Sequence, residues 1–207
     1  MATAFRPSGW RTTDGPLEIV PPHPVTNEVL RALNERYQPL AVERFGDGTL
    51  LVSPPNGGAG SQRNARLVLQ VAAWAESSGL GYAFGPDGGF TFPDGAMLAP
   101  DATYVARERW LALPERERES FAALVPDAVF ELRSRSDRVA VTRKKIATYL
   151  RQGVRLAVLI DPYARRVWLG RAGDDDVRDL GDVAALDCGP VMPGFVLDVA
   201  RVVAAPR

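Results

Sequence analysis

The 207-residue chain is 46% hydrophobic and 24% charged, values typical of a globular protein whose single domain can bury a substantial core. Its 25 basic and 25 acidic residues cancel, which excludes a generally basic surface and confines any nucleic-acid site to a local patch. The single histidine and single cysteine, His23 and Cys188, exclude an internal disulfide and argue against a zinc site or a Ser-His-Asp triad.

Neither a membrane segment nor a secretion signal is visible in the sequence. No apolar run reaches the 18 or so residues that a membrane span requires, and the first 15 residues lack the apolar core of a signal peptide. A lone cysteine fits a reducing compartment. We therefore expect a cytoplasmic protein without a membrane partner.

The first third of the chain predicts an arm, a helix and a hairpin. Residues 1–24 are interrupted by proline and glycine and are predicted to form an extended arm, with residues 25–207 forming one domain. Thr26 is predicted to cap a helix that ends near Arg36. The segments AVERF and TLLVS flank a Gly-Asp-Gly turn, which predicts a β-hairpin.

The next segments predict a long helix and several short strands. The glycine-rich segment PPNGGAGSQ lacks the residue order of a nucleotide-binding P-loop and is predicted to be a flexible connection. A helix is expected from Ser61 to about Ser77, with Gly79 as its stop. The segments GYAF, GFTF and AMLAPDATYVA predict antiparallel strands, and the charged residues 107–121 predict a solvated helical excursion.

The second half of the chain predicts a parallel crossover. Ala128–Leu132 is expected to be a buried strand, Ser136 or Asp137 to cap a helix that ends near Gln152, and the apolar Leu156–Asp161 to be a second strand. RVWLG predicts a further strand, and PVMPGFVLDVARVV a short strand followed by a terminal helix or strand. The chain is thus predicted to be an α/β protein with a mixed central β-sheet flanked by helices.

Only two of the 25 basic residues are lysines, the adjacent pair Lys144 and Lys145. Lysine offers a compact ammonium that can approach one oxygen and exchange a proton, whereas arginine is permanently charged. At about 100° per residue, Lys145 borders the apolar face of its helix and Lys144 points outward. Lys145 is therefore the candidate for a functional amine.

Two carboxylates precede this lysine, at the ends of apolar strands. Asp101 and Glu131 are expected in surroundings where a carboxylate must be paired, hydrogen-bonded or metal-bound, and together they can hold a divalent cation. Purely structural roles also fit each residue: Asp101 can cap a turn, Glu131 can pair with an arginine, and Lys145 can extend to solvent. The run Asp174–Asp176 is predicted to be a solvated turn rather than a metal cluster.

These segments resemble a known family. PDATYV, AVFELRSRSD and KKIATYLRQGVRLAVLIDPYARRV are similar to the Uma2 (DUF820) family of restriction-endonuclease-like proteins, within the PD-(D/E)xK nuclease superfamily. The resemblance extends from about Glu28 to Phe195. Its most specific parts are Pro100-Asp101, Glu131-x-x-Ser134 and Lys145-x-x-x-Tyr149-x-x-x-Gly153. It implies a restriction-endonuclease-like mixed central β-sheet flanked by helices.

The resemblance also implies roles for individual residues. Asp101 and Glu131 would bind Mg²⁺ or Mn²⁺, and the backbone carbonyl of Leu132 would be a further metal ligand. Lys145 would orient the attacking water or stabilise the transition state.

Two further residues are candidate additions to this site. The superfamily's usual lysine position is held here by Arg133, which departs from the pattern. Glu43 matches a family glutamate and is a candidate further member of the acidic site. A local basic patch around the same helix is predicted to contact DNA phosphates without sequence specificity; it comprises Arg135, Arg138, Arg143, Lys144 and Arg151.

The leading hypothesis is a metal-dependent DNA endonuclease. Double-strand cleavage with one active site per chain would favour a homodimer. One alternative is a catalytically inactive nuclease-fold module that acts in DNA binding or protein interaction, since fold does not fix function. A nucleotide or small-phosphoester hydrolase using the same site is another.

Overall fold

Thirteen strands and six helices form the part of the protein that the structure, a computed structural model, describes: residues 16–174 and 177–204. The helices are α1 (Asn27–Arg36), α2 (Gly58–Ser78), α3 (Arg107–Leu111), α4 (Glu115–Arg118), α5 (Val139–Arg151) and α6 (Val199–Val203). The strands are β1 (Leu17–Ile19), β2 (Ala41–Arg44), β3 (Leu50–Ser53), β4 (Gly81–Phe84), β5 (Phe90–Thr91), β6 (Met97–Leu98), β7 (Ala102–Ala106), β8 (Ala128–Leu132), β9 (Leu156–Asp161), β10 (Arg166–Arg171), β11 (Arg178–Gly181), β12 (Ala185–Asp187) and β13 (Val196–Asp198).

The central sheet has six strands in the order β11-β10-β9-β8-β7-β4. β8 and β9 pair in parallel around α5, and the other neighbours pair antiparallel. Every residue of β8 and β9 is buried, which explains why both segments are almost uninterruptedly apolar. The predicted mixed sheet and its parallel crossover are confirmed.

Helices cover both faces of this sheet. Alternate residues of a strand face opposite sides. Phe130 accordingly packs in the same core cluster as Leu67 of α2, whereas Val129 packs with Ile146 of α5. Glu131 lies two residues after Val129 on β8 and therefore faces the same side of the sheet, toward α5. The β12–β13 pair and α6 complete the core on the α2 side.

A second, antiparallel sheet packs beside the first, in the order β1-β3-β2-β6-β5. α1 covers it through Leu30, which is fully buried with Val42 and Met97. The chain leaves this sheet after β6 and enters the central sheet at β7, with only residues 99–101 between. Asp101 therefore lies where the two sheets meet, and β2 presents Glu43 to the same junction.

Two predicted helix starts are wrong. α2 begins at Gly58, three residues before the predicted Ser61, so part of the glycine-rich segment is helical rather than a flexible connection. Twenty-one residues of propagating helix outweigh the low helix propensity of these glycines. α5 is preceded by Arg138 without a side-chain cap, because the Asp137 carboxylate instead accepts a hydrogen bond from the Ser134 N–H and closes the turn after β8.

Most other predicted elements are confirmed. Thr26 caps α1 by accepting from the Val29 N–H, and Gly79 ends α2 in the left-handed conformation at φ 67°. The charged residues 107–121 form two short helices without a buried residue. The segment AMLAPDATYVA is split between β6 and β7, which lie in different sheets. None of the helices in the described ranges has the length and apolar character needed to span a membrane.

Part of the predicted N-terminal arm lies outside the described residues, namely residues 1–15. The remainder includes β1, whose Leu17 pairs with Val52 of β3. Two residues of the predicted Asp174–Asp176 turn, 175 and 176, also lie outside the described residues. The Asp174 carboxylate accepts from the Arg171 N–H and lies 3.6 Å from Nε of Arg178.

Gly81 is required by the close approach of β4 and β7. A Cβ at this position would collide with the carbonyl oxygen of Val105 and the ring of Tyr104. We expect Gly81→Ala to lower the free energy of unfolding by about 3 kcal/mol, the upper range for overpacking. Gly58→Ala is the matched control: no atom lies within 4 Å of a Cβ there, and alanine should raise stability by about 0.5 kcal/mol. Urea unfolding followed by circular dichroism measures both, and equal effects would contradict the assigned register.

Candidate active site

Four side chains predicted from the sequence converge at the junction of the two sheets. The ammonium of Lys145, on α5, lies 2.8 Å from Oε1 of Glu131 on β8 and 3.1 Å from Oε1 of Glu43 on β2. Asp101, immediately before β7, interacts electrostatically with both Lys145 and Glu131. Glu43, a candidate addition, is thus in direct contact with the predicted lysine.

Asp101 is held by hydrogen bonds to both carboxylate oxygens. Oδ1 accepts from Nδ2 of Asn64 at 2.8 Å, and Oδ2 accepts from the Leu132 N–H at 2.7 Å. Burial raises the pKa of Asp101 to about 6, although the Leu132 hydrogen bond and the charge of Lys145 act in the opposite direction. Ionised Asp101 is therefore costly in the metal-free protein and would gain from a cation.

The proline before Asp101 affects the backbone of Leu132 on β8. The register of β7 and β8 pairs Ala102 with Phe130, and its continuation would bring Pro100 opposite Leu132. Proline has no N–H to donate, so in this rung the Leu132 carbonyl lacks its strand donor, while the Leu132 N–H donates to the Asp101 carboxylate. Because the N–H and C=O of one strand residue point to the same side, the Leu132 carbonyl is directed toward the edge that Asp101 occupies.

Glu131 is buried and receives two donors on one oxygen. The hydroxyl of Tyr149 donates to Oε1 at 2.7 Å, and the Lys145 ammonium contacts the same atom. Burial is the largest influence and raises the pKa of Glu131; the charge of Lys145 opposes this rise, and those of Asp101 and Glu43 add to it. Tyr149, one turn beyond Lys145 on α5, thus fixes the orientation of the Glu131 carboxylate.

The two adjacent lysines differ as their helix phase predicts. The Lys145 side chain is 9% exposed, whereas that of Lys144 is 47% exposed and lies 3.7 Å from Asp47. Burial lowers the pKa of Lys145, but the carboxylates of Glu131 and Glu43 outweigh it, and the net shift is upward. Lys145 is therefore a buried, charged ammonium.

Arg133, at the usual lysine position of the superfamily, is engaged elsewhere. Its guanidinium lies 3.1 Å from Asp161 at the end of β9 and also donates to the carbonyl of Asp137. Asp161 is 1% exposed, and a buried carboxylate needs a counterion. Among the described contacts, none joins Arg133 to Asp101 or Glu131.

All members of the predicted basic patch are exposed: Arg135, Arg138, Arg143, Lys144 and Arg151. They lie on the turn before α5 and on its outer side. Lys144 pairs with Asp47, and Arg151 donates to the Thr148 hydroxyl. In the described part of the chain no carboxylate pairs with Arg135, Arg138 or Arg143, so these three charges are available to an anion.

Asn64 is a site residue that the sequence analysis missed. It lies on the buried stripe of α2 with Leu67, Val71 and Ala75, and its position as a polar residue at the start of an apolar stripe was the available signal. Its Nδ2 holds Asp101, while its Oδ1 is buried without a hydrogen-bond partner among the described residues.

The oxygen donors at this junction fit a hard divalent cation. Asp101, Glu131 and the Leu132 carbonyl offer the oxygen ligands that Mg²⁺ and Mn²⁺ prefer. Burial raises the pKa of Asp101, so its ionised form would gain from a nearby cation. No three His, Cys, Asp or Glu side chains in the described ranges are arranged as a metal cluster by themselves; the Lys145 ammonium lies between Glu43 and Glu131 instead.

A mixed sheet whose strand-end carboxylates face a lysine-bearing helix defines a restriction-endonuclease-like α/β protein. The chain belongs to the Uma2 family, described as "Putative restriction endonuclease", whose model matches residues 25–200. This confirms the family that the sequence motifs predicted. The structure is similar to the crystal structure of "a putative nuclease belonging to DUF820" from Anabaena variabilis ATCC 29413, with 20% identity, 87% of this chain and 98% of that chain covered, and a TM-score of 0.71. At this identity the likeness shows the fold. No curated protein matches the sequence.

Proposed function

We propose that this protein is a metal-dependent endonuclease that hydrolyses phosphodiester bonds of DNA. The convergence of Asp101, Glu131 and Lys145 at one buried junction carries the proposal. Membership of a family described as "Putative restriction endonuclease" supports a nuclease. Carboxylates and one lysine are chemically suited to phosphodiester hydrolysis with a metal ion. The single histidine and single cysteine of the chain are too few for a comparable His or Cys site.

Asp101, Glu131 and the backbone carbonyl of Leu132 would hold the ion, Mg²⁺ or Mn²⁺. When bound, the ion neutralises the scissile phosphate and lowers the pKa of a coordinated water. Asn64 and the Leu132 N–H keep Asp101 in one rotamer, and the Tyr149 hydroxyl does the same for Glu131. The protein thus presents preorganised ligands, which reduces the cost of assembling the site.

Lys145 would stabilise the extra negative charge that the phosphate acquires in the transition state. Its upward-shifted pKa keeps it as a charged ammonium, so it acts as a hydrogen-bond donor that orients water or contacts phosphate oxygens rather than as a proton acceptor. Glu43 would position this ammonium. Its Oε1 accepts from the Ala99 N–H at 2.8 Å, which anchors the carboxylate to the sheet junction.

The exposed basic patch on and before α5 would contact the DNA backbone. Arg135, Arg138 and Arg143 have no described carboxylate partner, and contacts of this kind give affinity without sequence specificity. Each chain supplies one candidate site, so cutting both strands at one place would favour a symmetric homodimer. A monomer would instead produce mainly nicked circles.

Conversion of supercoiled plasmid to nicked or linear DNA tests the proposal. We expect the purified protein to do this with Mn²⁺ or Mg²⁺ and to lose the activity in excess EDTA, because the ion supplies much of the transition-state stabilisation. Asp101→Asn protein purified in parallel excludes a contaminating nuclease. DNA binding without cleavage under any divalent ion would instead indicate an inactive nuclease-fold module.

A further inference from the structure

Three arginines surround one tyrosine beside the candidate active site. The guanidinium carbons of Arg63, Arg133 and Arg135 lie 5.4, 5.6 and 4.9 Å from the centroid of the Tyr163 ring. These four residues form what we call the arginine–tyrosine cluster. Arginines from α2 and from the turn after β8 meet there on a single aromatic ring.

The charges of this cluster are only partly compensated. Arg133 pairs with Asp161, but Arg63 and Arg135 have no carboxylate partner among the described residues. Nε of Arg63 is also buried without a hydrogen-bond acceptor in the described part of the chain. Like charges repel, and a buried donor without an acceptor is costly. The cluster therefore offers guanidinium donors that an anion with several acceptor oxygens could satisfy.

Chain connectivity places the cluster next to the metal-binding carboxylates. Arg63 directly precedes Asn64, whose amide donates to Asp101. Arg133 follows Glu131 by two residues, and Arg135 lies on the exposed turn that leads to α5. An anion bound by Arg63 and Arg135 would therefore lie close to the reacting phosphate without being in contact with Lys145.

We propose that the arginine–tyrosine cluster binds the DNA phosphate that flanks the scissile phosphate. This inference rests on the proposed nuclease function and deepens it, because it assigns residues to a second backbone phosphate of the DNA besides the scissile one. Guanidinium groups bind phosphate oxygens in a planar, bidentate geometry. Stacking on Tyr163 holds Arg63 and Arg135 in place before DNA arrives, so little side-chain entropy is lost on binding.

The test measures DNA affinity in protein that does not cleave. In the Asp101→Asn background with EDTA, a fluorescent DNA duplex is titrated by anisotropy at several salt concentrations. Arg63→Gln and Arg135→Gln should each raise Kd about tenfold and lower the slope of log K against log salt by about 1, the value for one phosphate. The double variant should lose little more than either single variant, because both arginines contact the same phosphate.

Arg107→Gln is the matched control. Arg107 is an exposed arginine that also stacks on a tyrosine, 5.9 Å from the Tyr82 centroid, but it follows the far end of β7, about 20 Å from Asp101 at the usual strand rise. Its replacement removes the same charge and the same kind of contact. We expect Kd and the salt slope to stay at the parental values.

The outcomes separate this inference from the nuclease proposal. If Arg63→Gln and Arg135→Gln behave like Arg107→Gln, or if the Asp101→Asn protein binds no DNA, the phosphate site is overturned. If the cluster variants lose affinity while wild-type protein never cleaves plasmid, the phosphate site stands and the nuclease function falls. Arg135 is exposed, so Arg135→Gln keeps the test decisive even if circular dichroism shows that Arg63→Gln is unfolded.

Discussion

Asp101→Asn should abolish metal-dependent cleavage of plasmid DNA and at the same time stabilise the metal-free protein. An amide is a far weaker ligand for Mg²⁺ or Mn²⁺ than a carboxylate, so the ion is lost or misplaced, and we expect a fall of at least about 10³-fold in the cleavage rate. Gel assays in Mn²⁺ measure the rate. Asp179→Asn, on the exposed strand β11, is the control and should cleave at the wild-type rate.

The gain in stability follows from the raised pKa of Asp101, which burial moves from 3.8 to about 6. The folded state resists ionisation of Asp101. The stability that its protonated carboxyl contributes is therefore complete below about pH 4 and is lost as the pH rises through about 6. A shift of about 2 pKa units corresponds to at most about 3 kcal/mol. The Asn variant avoids this loss, so its advantage should be largest at pH 8 and shrink toward pH 4.

The hydrogen bonds around residue 101 can adapt to the amide. Asn64 at present donates through Nδ2 to Asp101, while its own Oδ1 is buried without a partner in the described residues. Rotation of the Asn64 amide would let that Oδ1 accept from the new side chain. Urea unfolding in EDTA at several pH values measures the effect. A variant that is less stable than wild type at pH 8 would contradict the buried-carboxylate interpretation.

The sequence was most informative where physical constraints act locally. AVFEL and LAVLID could be recognised as buried parallel strands because every residue must be apolar, and the helix phase alone separated Lys145 from Lys144. Asp101 and Glu131 could be expected at the same edge of the sheet because both lie at ends of predicted strands. The order of these residues along the chain and the family resemblance then predicted the centre of the site.

Contacts between distant segments were not predictable in the same way. Asn64 lies 37 residues before Asp101 on a different element, and no local pattern reveals that its amide donates to that carboxylate. Arg133 illustrates the same difficulty: its pairing with Asp161 depends on the register of β8 and β9. Asp137 could be a helix cap or a turn residue by composition, and tertiary structure selected the turn.

Lys145→Met is expected to slow cleavage by about 10²–10³-fold, the usual effect of removing one preorganised charged donor from a transition state. Methionine is similar in length to lysine but carries no charge, so it removes the ammonium while filling most of the same space. Mn²⁺ binding, measured by titration calorimetry, should persist because Asp101 and Glu131 are unchanged. If Lys145→Met cleaves slowly but still binds Mn²⁺, Lys145 acts on the transition state and is not needed to hold the metal ion.

Lys144→Met is the matched control, one residue away on the same helix. Lys144 is half exposed, its ammonium lies 4.5 Å from the centroid of the Phe45 ring, and it pairs at the surface with Asp47, an interaction that contributes about 0–1 kcal/mol. We expect cleavage to fall no more than severalfold through weaker DNA binding. Equal losses in the two variants would show that the pair acts as general positive charge and would contradict the assignment of Lys145.

The stability of Lys145→Met should depend on whether a divalent ion is present. Without its ammonium, Glu43 and Glu131 become two buried carboxyl groups with no counterion, and removing one partner of a buried ion pair costs about 3–5 kcal/mol. Addition of Mn²⁺ supplies the missing positive charge. We therefore expect Mn²⁺ to raise the melting temperature more in Lys145→Met than in Lys144→Met. A smaller rise would indicate that the ion does not bind beside Glu131, because only there can a cation replace the ammonium that Glu43 and Glu131 share.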